Sequence, residues 1–182
     1  MAFDTSKINA KDIAQNGGTR NVLAIGETVY VTTSPIEVAR QASIIQDILE
    51  NIIDSNVTVE PHFPDVHSYS ILKKIEHNKI ISYKNAYSIF MENRIIIARR
   101  LEFLENNGKE LATEKLYKIV KLIYAKHCQY ENPDQIIRCM CDELKEDVNK
   151  DNRMSNDDTA YIPAIIFYVF SECQFMTKPP IQ

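Results

Sequence analysis

The residues of widest chemical reach in this 182-residue chain are four cysteines and four histidines, and their spacing does not suit a metal site. His127 and Cys128 are adjacent, and Cys139 and Cys141 are separated by one residue. A closed zinc site prefers Cys-x₂₋₄-Cys pairs, and residues two apart on a helix point about 200° away from each other. Core thiols are the expectation, since free cysteine behaves as a small buried hydrophobe. Pro133-Asp134 followed by Glu143-Leu144-Lys145 has the letters of a Pro-Asp…Glu-x-Lys nuclease motif. That chemistry needs carboxylates converging on one ion, whereas here both fall on one helix, where Asp134 suits the positive end of the helix dipole. Gly17-Gly18 has neither phosphate-loop nor dinucleotide context. No serine or cysteine stands at recognisable motif spacing from a histidine and an acid, although a triad assembled in space is not visible in sequence. His77, beside Glu76 and Lys79, can titrate near neutrality, but a helix-terminal hydrogen-bonding role fits it better. His62 and His67 belong to a proline-flanked connector. The reading assigns no catalytic residue, metal or cofactor.

Charge offers a second chemistry. Lys115, Lys118, Lys121 and Lys126 lie along one predicted helix, with Arg99 and Arg100 ahead of it. Such a stripe would hold phosphates without reading bases. The net charge is −4, and acidic residues are interspersed, so a solvated helix face is preferred and a DNA-contacting regulator using the Lys115–Lys126 face is the alternative. From Lys73 to Lys126 there are 12 Lys/Arg against 6 Asp/Glu, and from His127 to Asp158 there are 4 against 9. Surfaces of opposite sign are expected side by side.

The elements that must position these residues are mostly helical. Tyr161 to Phe170 is apolar throughout, with Pro163 suited to a first turn. A bilayer span needs roughly 20 residues, so this segment is expected to be a central helix wrapped by the others. Ser34-Pro-Ile-Glu37 and Asn132-Pro-Asp-Gln135 each combine a capping residue, an N1 proline and an N3 Glu or Gln. They predict helices over 34–54 and 132–148. A short helix is predicted over 67–79, with Lys73, Lys74 and Glu76 outward. The long periodic segment 80–107 ends at Asn106-Asn107-Gly108, and Thr113 is the expected cap of a helix to about Gln129. Ahead of these, Val22–Ile25 and Thr28–Thr33 flank Gly26-Glu27, which predicts a β-hairpin. Two strands alone are marginal. The hairpin is expected to dock on the helices, pair with a second copy, or augment a partner's sheet through Val29 and Val31.

The resulting fold class is mostly α: a six-helix orthogonal or bundle-like domain over 34–182, preceded by an N-terminal β-hairpin arm over 1–33. The MAFDTSKINAKD start has no basic-then-apolar leader, and the cysteines sit among helices. A reducing, cytoplasmic location with no membrane association is expected.

Two stretches carry a resemblance. Leu72-Lys-Lys-Ile-Glu-His-Asn-Lys-Ile-Ile-Ser-Tyr83 and Ile166-Phe-Tyr-Val-Phe-Ser-Glu-Cys-Gln-Phe-Met-Thr-Lys-Pro-Pro180 resemble the elements, KIE-x-N and YYVF-x-x-C-x-I-F-x-KPP, that open and close the helical C-terminal domain of bacterial ABC-three-component defence proteins, the group that includes Lamassu. The likeness covers roughly residues 60–180 and rests on hydrophobic helix motifs, and the leader Asp12–Val31 is similar to those preceding such domains. It implies an accessory or scaffold subunit that links an SMC-like or RecF-like ABC ATPase to an effector, often a nuclease, and meets DNA through the complex. The departure from the family pattern is that no effector domain stands ahead of the helices. Carried over residue by residue, Lys74, Ile75, Glu76, Asn78, Tyr168, Phe170, Cys173, Lys178 and Pro179 are implied to be packing and docking positions. Of these, Lys74, Glu76, Asn78, Lys178 and Pro179 are the implied partner-binding residues.

Overall fold

Nine of the ten residues of Ile162–Ser171 are buried, and this helix is the element on which its neighbours converge. The computed structural model describes residues 20–25, 28–54, 57–61, 71–84, 86–150, 154–155, 157–172 and 174–179, with backbone alone for 20–25, 28–33 and 87–89. Gly17, Gly18, Gly26, Glu27, His62, His67, Cys173 and Pro180 lie outside the described residues.

The chain divides into two compact units, Met1–Ser43 and Ile44–Gln182. In the first, β1 (Arg20–Ile25) and β2 (Thr28–Thr33) pair antiparallel, with Val29 opposite Ala24 and Val31 opposite Val22. Helix α1 (Pro35–Ile53) starts in this unit and continues into the second. Its first turn is capped as the sequence predicts: Ser34 Oγ accepts from the Glu37 amide at 3.2 Å.

The second unit is a helical bundle of α2 (Ile71–His77), α3 (Tyr87–Glu92), α4 (Arg94–Asn106), α5 (Ala112–His127), α6 (Pro133–Val148) and α7 (Ile162–Ser171), together with the C-terminal part of α1. Helices α3, α4, α5 and α6 all pack against α7. Phe167 and Phe170 of α7 sit in a chain of rings, with Phe167 5.5 Å from Tyr83 and 4.6 Å from Phe90, and Phe170 5.7 Å from Phe175. Among the described residues, no helix is long and apolar enough to cross a membrane.

The predicted helical segments are present, with local corrections. The segment from Ser82 to Glu105 is not continuous. A 3₁₀ turn at Ser82–Lys84 precedes α3, and at Asn93 the amide bonds to Phe90 O at 3.2 Å, an i→i+3 bond that separates α3 from α4. Thr113 does not cap α5. The N-cap is Leu111, held left-handed at φ 57°, and the Thr113 amide is satisfied by Glu105 Oε1 at 3.0 Å. Lys74 does not face outward: it is 0% exposed, while Leu72 is 44% exposed. Ile71, Lys74, Ile75 and Asn78 follow the i, i+3, i+4, i+7 spacing of one helix face, so the lysine shares the side that the isoleucines bury.

Helix α2 ends in a Schellman turn. The Lys79 amide bonds to Glu76 O at 3.0 Å and the Ile80 amide to Ile75 O at 3.1 Å, with Lys79 at φ 55°. Gly108, at φ 90°, closes α4 where the Asn-Asn-Gly signal predicts a stop.

Candidate interaction site

Burial of an ammonium requires partners close at hand, and Lys74 has them in the opposite stretch of sequence. Its Nζ donates to Phe170 O at 2.7 Å and to Phe175 O at 2.9 Å, and lies 4.0 Å from the Phe170 ring centroid. The carbonyl of Phe170 belongs to the last turn of α7, where helices leave acceptors unmet and favour a cation. One turn further along α2, the Asn78 side chain closes a two-way bridge. Its Nδ2 donates to Thr177 O at 2.8 Å, and its Oδ1 accepts from the Thr177 amide at 3.0 Å. The amide side of Asn78 thus pairs with the main chain of the C-terminal segment as a second strand would. A third tie, from Arg94 Nη2 to Glu172 Oε1 at 2.8 Å, fixes the same segment to α4.

The remaining residues singled out in the sequence separate into two groups. Glu76 is exposed on α2 and pairs with Lys84 at 2.9 Å; the Lys84 hydrogen bond holds its carboxyl below the usual range. Lys178 is exposed and Pro179 buried, while Tyr168 is buried and bonded to Tyr117. The side chains of Val29 and Val31 lie outside the described residues.

The basic residues differ in exposure and in partners. Arg99 is exposed on α4; Arg100 donates to Gln46 Oε1 at 3.3 Å and stands 5.9 Å from the Phe103 ring. Lys126 pairs with Glu143, whose other oxygen lies 2.7 Å from His127 Nε2. Lys118 and Lys121 are exposed and line a cavity of about 320 Å³, but Glu60 and Glu114 line it too. Lys115, half-buried, is not among its lining residues.

The nuclease-like pair is engaged structurally. Asp134 accepts from the Ile81 and Ser82 amides, both at 3.0 Å, and Glu143 holds Lys126 and His127. Nine residues along one helix separate the two positions by about 13.5 Å along its axis. Burial pushes the Cys141 thiol up to about 12, and the Tyr83 phenol beside it likewise to about 12. His77 is exposed in the last turn of α2. Among the described residues, no group of three or more His, Cys, Asp and Glu could hold a metal ion.

Sequence reasoning missed the Lys74 burial and the Asp134 and Arg94 ties. Only the first had a local signal, the helical period shared with Ile71 and Ile75. The fold of the second unit is that of a helical bundle in which α2 and its cap Asn78 are joined to 170–177 by side-chain-to-main-chain bonds. No family model matches the chain, and neither does any curated protein or solved structure.

Proposed function

We propose that the chain is a non-enzymatic adaptor of the ABC-three-component type, a cytoplasmic accessory subunit that joins an SMC-like or RecF-like ATPase to an effector. One observation carries the reading: the two stretches that resemble the family's opening and closing elements interlock, through Lys74 with Phe170 and Phe175 and through Asn78 with Thr177. Elements that define a domain family by packing are expected to meet in space, whereas two chance similarities have no reason to. The contacts tie α2 to the segment 170–177 and leave Lys178, and Glu76 with its partner Lys84, exposed on the outside, where a partner would dock. In this reading, DNA is met by the ATPase rather than by the Lys115–Lys121 face, where Glu60 and Glu114 share the cavity with the lysines. The N-terminal hairpin supplies a further contact, by strand pairing with a partner or a second copy.

The test is co-expression with an SMC-like ATPase encoded beside it, followed by affinity capture and size-exclusion chromatography. A stable complex that survives nuclease treatment is the expected result. A chain that elutes alone at micromolar concentration refutes the reading.

A further inference from the structure

Residues 57–61 run without helix or strand partner, and the main-chain groups of Val57, Thr58, Val59 and Glu60 form no hydrogen bond among the described residues. Their exposure alternates: Val57 and Val59 are half-buried, and Thr58 and Glu60 are exposed. Period-two alternation with free amides and carbonyls is the pattern of a strand edge awaiting a partner. The same stretch forms one wall of the 320 Å³ cavity, lined by Thr58, Val59 and Glu60 on one side and by Tyr117, Lys118 and Lys121 of α5 on the other. A groove between an alternating stretch of unbonded main chain and a helix can accept a peptide as an added strand, with main-chain bonds giving affinity and side-chain contacts giving selectivity.

We infer that this groove between 57–60 and α5 binds an extended peptide segment of a partner protein that carries an acidic side chain. The unbonded main-chain groups call for a ligand with its own peptide donors and acceptors. Lys118 and Lys121, exposed and in no ion pair among the described residues, call for a carboxylate on that ligand. Glu60 and Glu114 in the same cavity disfavour a continuous polyanion, so a peptide with one localised charge fits where a phosphate backbone does not. Tyr117 supplies a firm floor, half-buried with its hydroxyl bonded to Tyr168. The surface is independent of which assembly the chain serves.

The experiment selects a yeast-displayed library of random decapeptides on the full chain, then measures the enriched peptides against the wild type and the Lys118→Glu/Lys121→Glu variant. Both substitutions are at exposed positions, and circular dichroism checks that the fold is kept. The expected result is β-prone, acid-bearing peptides whose affinity falls at least about tenfold on charge reversal, as loss of charge complementarity across a contact requires. Residue-resolved amide exchange is the second measurement. Successive residues of an extended chain point their N–H groups to opposite edges. A bound strand therefore protects either Thr58 and Glu60 or Val57 and Val59, and leaves the alternate pair fast. Enrichment of no peptide, binding indifferent to the reversal, or protection of none of these amides overturns the inference. A double-stranded oligonucleotide that binds this face and is lost on the same reversal, without amide protection, assigns it to nucleic acid and overturns it as well.

Discussion

Replacing Lys74 by methionine keeps the unbranched stem and removes the ammonium. The carbonyls of Phe170 and Phe175, now accepting at 2.7 and 2.9 Å, lose the ammonium, and the Phe170 carbonyl keeps only the Glu172 amide at the end of α7. Each unmet buried carbonyl costs about 1–3 kcal/mol. The ring contact at 4.0 Å also goes, worth up to about 2 kcal/mol at a desolvated site. Against this, the variant no longer buries an ion, a relief of several kcal/mol by order of magnitude. Two weakened carbonyls and the lost ring contact together exceed the third effect, leaving a net loss of about 3 kcal/mol. For a domain of this size that corresponds to roughly 6–12 °C in Tm. Urea and thermal unfolding followed by circular dichroism measure it, with Lys73→Met, at an exposed neighbouring position, as the control expected to change stability by less than about 0.5 kcal/mol. Exchange of the Thr177 amide, which donates to Asn78, localises the effect and should accelerate in the Lys74 variant. A Lys74→Met protein that melts at or above the wild-type temperature would refute the reasoning, since desolvation would then outweigh the bonds.

Other perturbations follow from the same geometry. Phe167→Ala, which empties the space against Tyr83 and Phe90, should destabilise by about 3–5 kcal/mol in urea unfolding. Lys79→Gly should stabilise by up to about 1 kcal/mol, because glycine accepts the left-handed φ of 55° that a lysine resists. Burial raises the Glu143 carboxyl, but the hydrogen bonds from Lys126 and His127 outweigh it and leave the group below its ordinary 4.5. A depressed folded-state value gives stability that is present above that ordinary value and lost as pH falls through the folded one. Glu143→Gln should therefore be less stable than the wild type at pH 7, and the gap should close on acidification below 4.5 in a pH series of melts. With its thiol pushed up to about 12 and buried, Cys141 should escape maleimide labelling in the native protein, while exposed Cys128 is modified, as peptide mass mapping would record.

What could be read beforehand was what local chemistry decides. Ser34 and Asn132 bind the amides of Glu37 and Asp134 because capping depends on residues two or three apart. The apolar run from Tyr161 announced α7 because a helix with no polar face has to be surrounded. What depended on residues far apart in sequence was not legible. Nothing near Asn93 breaks a helix by composition, and Asp134 grips Ile81 and Ser82 across more than fifty positions. Lys74 is the instructive miss, since residue type argued for solvent while spacing argued for the interior, and the spacing prevailed once two carbonyls lay within reach. For the candidate site, the two motifs were visible as separate stretches, but their meeting through Asn78 and Thr177 was not. The groove beside 57–60 left only a trace in the alternation of Val57 and Val59.

Helix α7 comes after every helix that packs around it in the order of synthesis. On the ribosome the walls of the bundle are therefore made before their pillar, and the faces of α3, α4, α5 and α6 that pack on α7 stay uncovered until that helix emerges. A truncation that removes only that segment would not yield a smaller bundle, but a set of sticky amphipathic helices for chaperones to hold.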